Sequence, residues 1–196
     1  MATVTVSVNS ETTFTASYSN VTDTCTVTVG PSYLFYDGGV TGNVNTDYTN
    51  LNGTINASVS STGTNISCST YADCYRRANA LISGDFRVTV TCVSSTDNGF
   101  DLAFLNSSNS KQYSFGFSWN AGKDWNKNGS QLTSNLSAVN DSPITAERVN
   151  STLTVKCNGT QLFTATITTS DVYFAFKTHS QGGRNCTIKD LMIEAL

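Results

Sequence analysis

Apolar residues alternate with serine and threonine along most of this chain, and a period of two leaves few options for its fold. Val4, Val6 and Val8 alternate with Thr3, Thr5 and Ser7. Val27 and Val29 alternate with Thr26 and Thr28, and Phe86, Val88 and Val90 with Arg87, Thr89 and Thr91. Successive side chains of a strand point to opposite faces, so each run offers one face to a core and one to water. Half-buried antiparallel strands follow. The outward set is hydroxyl and amide far more often than acid or base.

The 196 residues are 38% hydrophobic, enough to build a core, but only 13% charged, with a net charge of −3. Ordinary soluble domains carry roughly 25% charged residues. The densest basic cluster is Arg76-Arg77, so no nucleic-acid partner is expected. No apolar run approaches the roughly 20 residues of a membrane span, and no membrane partner is expected either. Met1-Ala2-Thr3-Val4 is already strand-like, without a cationic or apolar leader. That predicts either folding in a cytoplasm or excision from a longer chain.

About eleven Asn-x-Ser/Thr sequons occur, among them Asn20, Asn52, Asn56, Asn65, Asn128, Asn158 and Asn185. Roughly half that number would arise from the Asn, Ser and Thr content alone. The six cysteines are Cys25, Cys68, Cys74, Cys92, Cys157 and Cys186. Cys68 and Cys74 flank a short loop and are the best disulfide pair. Cys92 and Cys157 end alternating strands, where a free cysteine acts as a small hydrophobe. No CxxC spacing supports a zinc site.

Residues 1–30 read as three short strands, near 3–8, 12–19 and 24–29. Three strands are too few to close a sandwich, so this arm must pair with itself and dock, or pair with a neighbour. Gly30-Pro31 marks the boundary. Beyond it, strands are expected at 33–36, 53–59, 64–69, 86–94, 100–106, 111–119, 147–156, 161–168, 172–178 and 186–194. Residues 71–82 fit a helical turn or a strand equally. Asn158-Gly159 between two apolar runs predicts a two-residue hairpin. Many evenly spaced strands and almost no helix imply an all-β antiparallel sandwich.

Four stretches resemble the concanavalin A-like lectin/glucanase jelly roll, in the form found in tailed-phage virion proteins and microbial adhesins. They are Ile82-Ser83-Gly84-Asp85-Phe86-Arg87-Val88, Tyr113-Ser114-Phe115-Gly116-Phe117-Ser118-Trp119, Val172-Tyr173-Phe174-Ala175-Phe176-Lys177 and the closing run from Cys186 to Glu194. The resemblance covers about residues 32–196. It implies a jelly-roll domain at 31–196 that binds carbohydrate or a surface, preceded by a β-rich arm at 1–30.

Catalytic constellations are sparse. Glucanases of this fold pair carboxylates on one strand. Here the glutamates are Glu11, Glu147 and Glu194, widely spaced. Asp190 and Glu194 share a face by spacing, but at the C-terminus. His179 is the only histidine, at a strand end, and no Gly-x-Ser-x-Gly elbow accompanies it. The chain is therefore expected not to be an enzyme.

Asp124-Trp125-Asn126-Lys127-Asn128-Gly129 matches the first half of a calcium loop, with Asp124, Asn126 and Asn128 as ligands. The closing acid is absent because Asn135 stands at the twelfth position. A turn is favoured over a metal site, and no cofactor is expected. Sugar binding needs an aromatic face for C–H groups and polar side chains for hydroxyls. Trp125, Asp124, Asn126, Lys123 and Arg184 supply that chemistry, while Trp119 belongs to an alternating run and to the core. Arg76-Arg77 with Tyr71 and Tyr75 has the composition of an interface anchor.

The expectation is thus a non-enzymatic virion-surface protein, a head decoration or fibre, displaying a jelly roll to surface glycans. Residues 1–30 would attach it to capsid or other virion proteins by strand addition, and it would work as a homo-oligomer. The alternative is a secreted, cell-surface lectin-like adhesin module. A glycoside hydrolase is the third reading.

Overall fold

The computed structural model describes residues 12–18, 21–27, 33–37, 48–60, 63–68, 73–95, 101–119, 124–133, 141–178 and 184–196. By their contacts the residues form two compact units, Met1–Ser32 and Tyr33–Leu196. In the first, β1 (Thr12–Tyr18) and β2 (Val21–Val27) pair as an antiparallel hairpin, with Phe14 opposite Cys25 and Thr15 opposite Thr24. The expected strand near 3–8 lies outside the described residues.

The second unit is an antiparallel β-sandwich. One sheet has seven strands. In spatial order these are β12 (Ser130–Thr133), β11 (Asp124–Lys127), β10 (Lys111–Trp119), β9 (Asp101–Leu105), β16 (Tyr173–Lys177), β7 (Tyr75–Ala78) and β4 (Tyr48–Leu51). The other has eight described strands: seven in the order β15 (Thr160–Thr166), β14 (Thr152–Cys157), β13 (Ser142–Val149), β8 (Phe86–Ser95), β17 (Arg184–Ala195), β6 (Gly63–Cys68) and β5 (Asn56–Ser60), and β3 (Tyr33–Asp37), which pairs the far end of β17.

Alternation decides which side of each strand is buried. Phe86, Val88, Val90 and Cys92 of β8 face Leu102 and Phe104 of β9 and Phe174 and Phe176 of β16 in one core. Tyr48 stacks on Phe176 at 5.8 Å, while other rings meet at angles: Phe174 meets Phe176 edge-on at 5.2 Å, and Phe115 meets Phe163 edge-on at 6.0 Å. Such pairings favour the positive ring edge against the negative face.

Turn chemistry closes the hairpins. Asn158 (φ 49°) and Gly159 (φ 74°) join β14 to β15, as their dipeptide predicts. Asn128 (φ 51°) and Gly129 (φ 86°) join β11 to β12 in the same way. Three of the sequons, at Asn52, Asn128 and Asn158, are Asn-Gly pairs followed by Ser or Thr, with the asparagine exposed at positive φ. Turn geometry followed by a hydroxyl-rich strand accounts for these sequons.

Several expectations are corrected. The run 147–156 is two strands, β13 and β14, separated by a turn at Asn150 (φ 54°). Of the two alternatives open for 71–82, residues 75–78 take the strand. Cys68 and Cys74 are both buried and are not joined in a disulfide. Asp190 does not share a face with Glu194, because β17 bulges between Lys189 and Met192 and Asp190 sits at φ 54°. The bulge moves the core-facing set from Cys186 and Ile188 to Leu191 and Ile193.

Candidate functional site

The two sheets differ on their outward faces. That of the eight-stranded sheet is ordinary solvated surface, in which Arg87 Nε donates to Glu147 Oε2 at 3.0 Å and Arg87 Nη1 lies 3.7 Å from Glu194 Oε2. Threonines 89, 145, 154 and 164 surround this row, half-exposed or exposed. Antiparallel sheets commonly turn such a face to water.

The outward face of the seven-stranded sheet is different. Leu102 and Phe104 of β9 take the main core, so Asp101, Ala103 and Leu105 face out, yet all three are 0% exposed. Register places Lys177, Ala175 and Tyr173 of β16 beside them, then Tyr75 and Arg77 of β7, then Leu51 and Thr49 of β4. On the other side lie Ser114 and Gly116 of β10, then Asn126 of β11. Ala103, Leu105 and Ala175 form a second apolar cluster, packed by the half-buried Leu51, Tyr75 and Tyr173.

Three rows of side chains cross this face. The first is polar: Asn126, Gly116, Asp101, Lys177, Tyr75. Gly116 carries no side chain, so Asn126 reaches over it and its Nδ2 donates to Asp101 Oδ1 at 2.6 Å. Lys177, almost fully buried, donates from Nζ to the Thr178 carbonyl at 2.9 Å and lies 3.1 Å from Asp73 Oδ1. The Tyr75 hydroxyl is pushed up to about 12, first by burial and then by the charges of Asp73 and Asp101. It therefore remains a proton donor throughout the neutral range.

The second row is small: Ser114, Ala103, Ala175, ending at Arg77. The Arg77 guanidinium stacks 3.8 Å from the Tyr173 ring centre, a close cation–π contact. Its Nη1 donates to the Ala78 carbonyl at 3.0 Å, while Nε is shielded from solvent without an acceptor. At the other end of the row the Ser114 hydroxyl is likewise buried without a partner. The third row holds Leu105 and Tyr173.

The residues singled out from sequence do not converge here. Trp125 is 1% exposed and belongs to the main core. Its expected role as a sugar-stacking face is corrected, because a ring enclosed by core side chains offers no face to a ligand. Asn126, its neighbour on β11, points the other way and does join the outward face, as a period of two requires. Asp124 pairs with Trp119 in strand register. Arg184 opens β17 on the opposite sheet, across from Cys68. Lys123, Tyr71 and His179 lie outside the described residues.

The calcium-type spacing is occupied by a hairpin. Asn126 is committed to Asp101, and Asn128 Oδ1 accepts from the Ser114 N–H at 2.9 Å. The Asn128 N–H in turn donates to the Ser114 carbonyl at 2.8 Å. Among the described residues no three His, Cys, Asp or Glu side chains gather around one point. Tyr75 and Arg77 stand out in the sequence only as part of an interface anchor, and Asp101, Tyr173 and Lys177 carry no motif, although parity with Leu102, Phe174 and Phe176 places those three on the outward face.

No protein-family model matches the chain, and no curated protein matches it. Solved structures do. A Bacillus subtilis protein of unknown function with a galectin-like fold aligns at TM-score 0.61 and 9% identity, over 83% of this chain and 96% of that one. A sialidase aligns at TM-score 0.60 and 8% identity over 77% of this chain, which spans only 17% of the sialidase. The carbohydrate-binding module CBM66 of Bacillus subtilis aligns at TM-score 0.50 and 11% identity, over 76% of this chain and 96% of the module. At these identities the likeness establishes the fold, a concanavalin A-like sandwich.

Proposed function

We propose that the Tyr33–Leu196 unit is a non-enzymatic carbohydrate-binding module whose ligand lies on the outward face of the seven-stranded sheet. The observation that carries this reading is the second buried cluster: an outward sheet face that is not given over to water. Its half-exposed tyrosines, Tyr75 and Tyr173, and the half-exposed Arg77 between them match what a sugar needs, apolar contact for C–H groups and a few oriented polar partners. The printed descriptions of a galectin-like fold and a carbohydrate-binding module among the similar structures support the class of ligand. The reading expects binding without turnover.

The finer setting, display on a virion surface with the Met1–Ser32 unit as the attachment arm, rests on the sequence resemblance and on the separateness of that unit. Association of the full chain, but not of residues 33–196, with isolated capsids would support it; equal association of both would remove the arm's role.

A glycan array with the full chain, followed by reducing-sugar assays on every bound glycan, tests the main reading. The expected result is binding that Tyr75→Ala and Tyr173→Ala weaken by about 10-fold or more each, with no sugar released. Unchanged binding in both variants, at unchanged unfolding midpoints, rejects this face as the site. Release of sugar from a bound glycan rejects the non-enzymatic part.

A further inference from the structure

Resting on that reading, we infer that the saccharide carries a carboxylate and that Arg77 receives it. The cations of this face are not equivalent. Lys177 is committed to Asp73 and to the Thr178 carbonyl. Arg76, next to Arg77, points to the opposite side, where its Nη1 donates to the Ile55 carbonyl at 2.8 Å. Arg77 has no carboxylate within ion-pairing distance among the described residues. Its bonds are the Nη1 donation to Ala78 and the stack on Tyr173.

That leaves the Nε–Nη2 edge uncommitted. It is the edge that takes a carboxylate through two parallel hydrogen bonds. The stack on Tyr173 holds the guanidinium plane, so little freedom is lost when an anion pairs with it. The nearest negative charge on the sheet, Asp101, lies one row away and two strands distant, and the Asn126 amide caps one of its oxygens. Tyr173, stacked on Arg77, and Tyr75, two residues from Arg77 on the same strand, are half-exposed and offer a sugar ring apolar contact beyond the carboxylate.

The test uses the full chain and paired probes that differ in the acid alone: trigalacturonic acid against its methyl ester, and 3′-sialyllactose against lactose. Calorimetry or fluorescence titration of wild type, Arg77→Lys and Arg77→Gln reads the effect. The expected result is a preference of about 10- to 100-fold for the acid in at least one pair, which identifies a uronate or a sialate source. Arg77→Gln should abolish that preference. Arg77→Lys, which keeps charge but loses the paired geometry, should restore it only partly. The readout is the acid-to-neutral ratio within each pair, which is independent of any change in neutral affinity.

Equal affinity within both pairs, or a preference that survives Arg77→Gln, overturns the inference and leaves the carbohydrate-binding reading standing. Failure of every probe, with no hit on the glycan array, overturns both. Urea midpoints near wild type for the two variants confirm that the fold is intact.

Discussion

Asn126 and Asp101 stand on β11 and β9, strands that do not touch, yet the Asn126 amide donates to the Asp101 carboxylate at 2.6 Å across Gly116 of the strand between them. A residue with a side chain at position 116 would sit between the two. Both partners are 0% exposed, so the bond is made where losing it is costly. Asn126→Ala removes this donor from a buried carboxylate, and unfolding in urea should show a loss of about 1–3 kcal/mol. Replacing both partners by leucine should cost less than the sum of the single changes. Additive losses would mean that the bond is not coupled as described.

Trp125 gives the clearest separation of packing from recognition. Its ring is enclosed in the main core, so Trp125→Ala should cost about 3–5 kcal/mol of stability. Under conditions where the variant is still folded, glycan affinity should change little. A stable variant that has lost its ligand would restore the stacking role expected from sequence.

Arg148 is a buried cation with a purely architectural task. Its Nε and Nη2 donate to the Gly84 carbonyl, its Nη1 to the Thr168 and Ser170 carbonyls, and its guanidinium lies 4.5 Å from the centre of the Phe86 ring. Burial pulls its pKa below the ordinary arginine value, though Asp85 and Asp171 oppose the shift. One side chain thus ties the Gly84 turn and the segment after β15 to β13. Arg148→Met leaves three carbonyls without their donor, and a loss of roughly 2–5 kcal/mol is expected, again read from urea unfolding. Ligand affinity should be unaffected in the folded fraction.

Among the described residues, Tyr75 and Tyr113 should titrate late. Burial raises the Tyr113 hydroxyl to about 12, and burial with Asp73 and Asp101 raises Tyr75 to about 12, from the ordinary value of 10.0. Between those values the unfolded chain has lost these protons while the folded chain retains them. Stability should therefore fall as pH rises from about 10 toward 12. Spectrophotometric titration of the phenolates should show late-ionising groups, and Tyr75→Phe and Tyr113→Phe should each remove one of them. Simultaneous ionisation of all tyrosines in the folded protein would contradict the burial described.

Much of the sandwich is legible in the chain because a period of two reports the face of each residue directly. The run from Phe86 to Cys92 and the Asn158-Gly159 turn need nothing beyond local rules. The turn at Asn150 was missed because Ser151 carries no glycine to mark it. The bulge in β17 is written only as a change of parity from Ile188 to Leu191. The candidate site was harder for a physical reason. Tryptophan chemistry draws attention to Trp125, but alternation sends that ring inward and Asn126 outward. Tyr75, Arg77, Asp101 and Tyr173 come from three strands distant in sequence, and only strand order brings them into one place. Nor does composition reveal that an outward face is buried: Ala103 and Ala175 read as small spacers until their neighbours are known.

The most direct test of the proposed face is an amide chemical-shift map of the labelled full chain. Trigalacturonic acid, 3′-sialyllactose and a neutral cello-oligosaccharide would be titrated separately. The account predicts that at least one shifts Tyr75, Arg77, Ala103, Ser114, Tyr173 and Ala175 together, while Thr89, Thr145 and Thr154 on the opposite sheet stay still. Shifts confined to the eight-stranded sheet, or none with any of the three sugars, would contradict it.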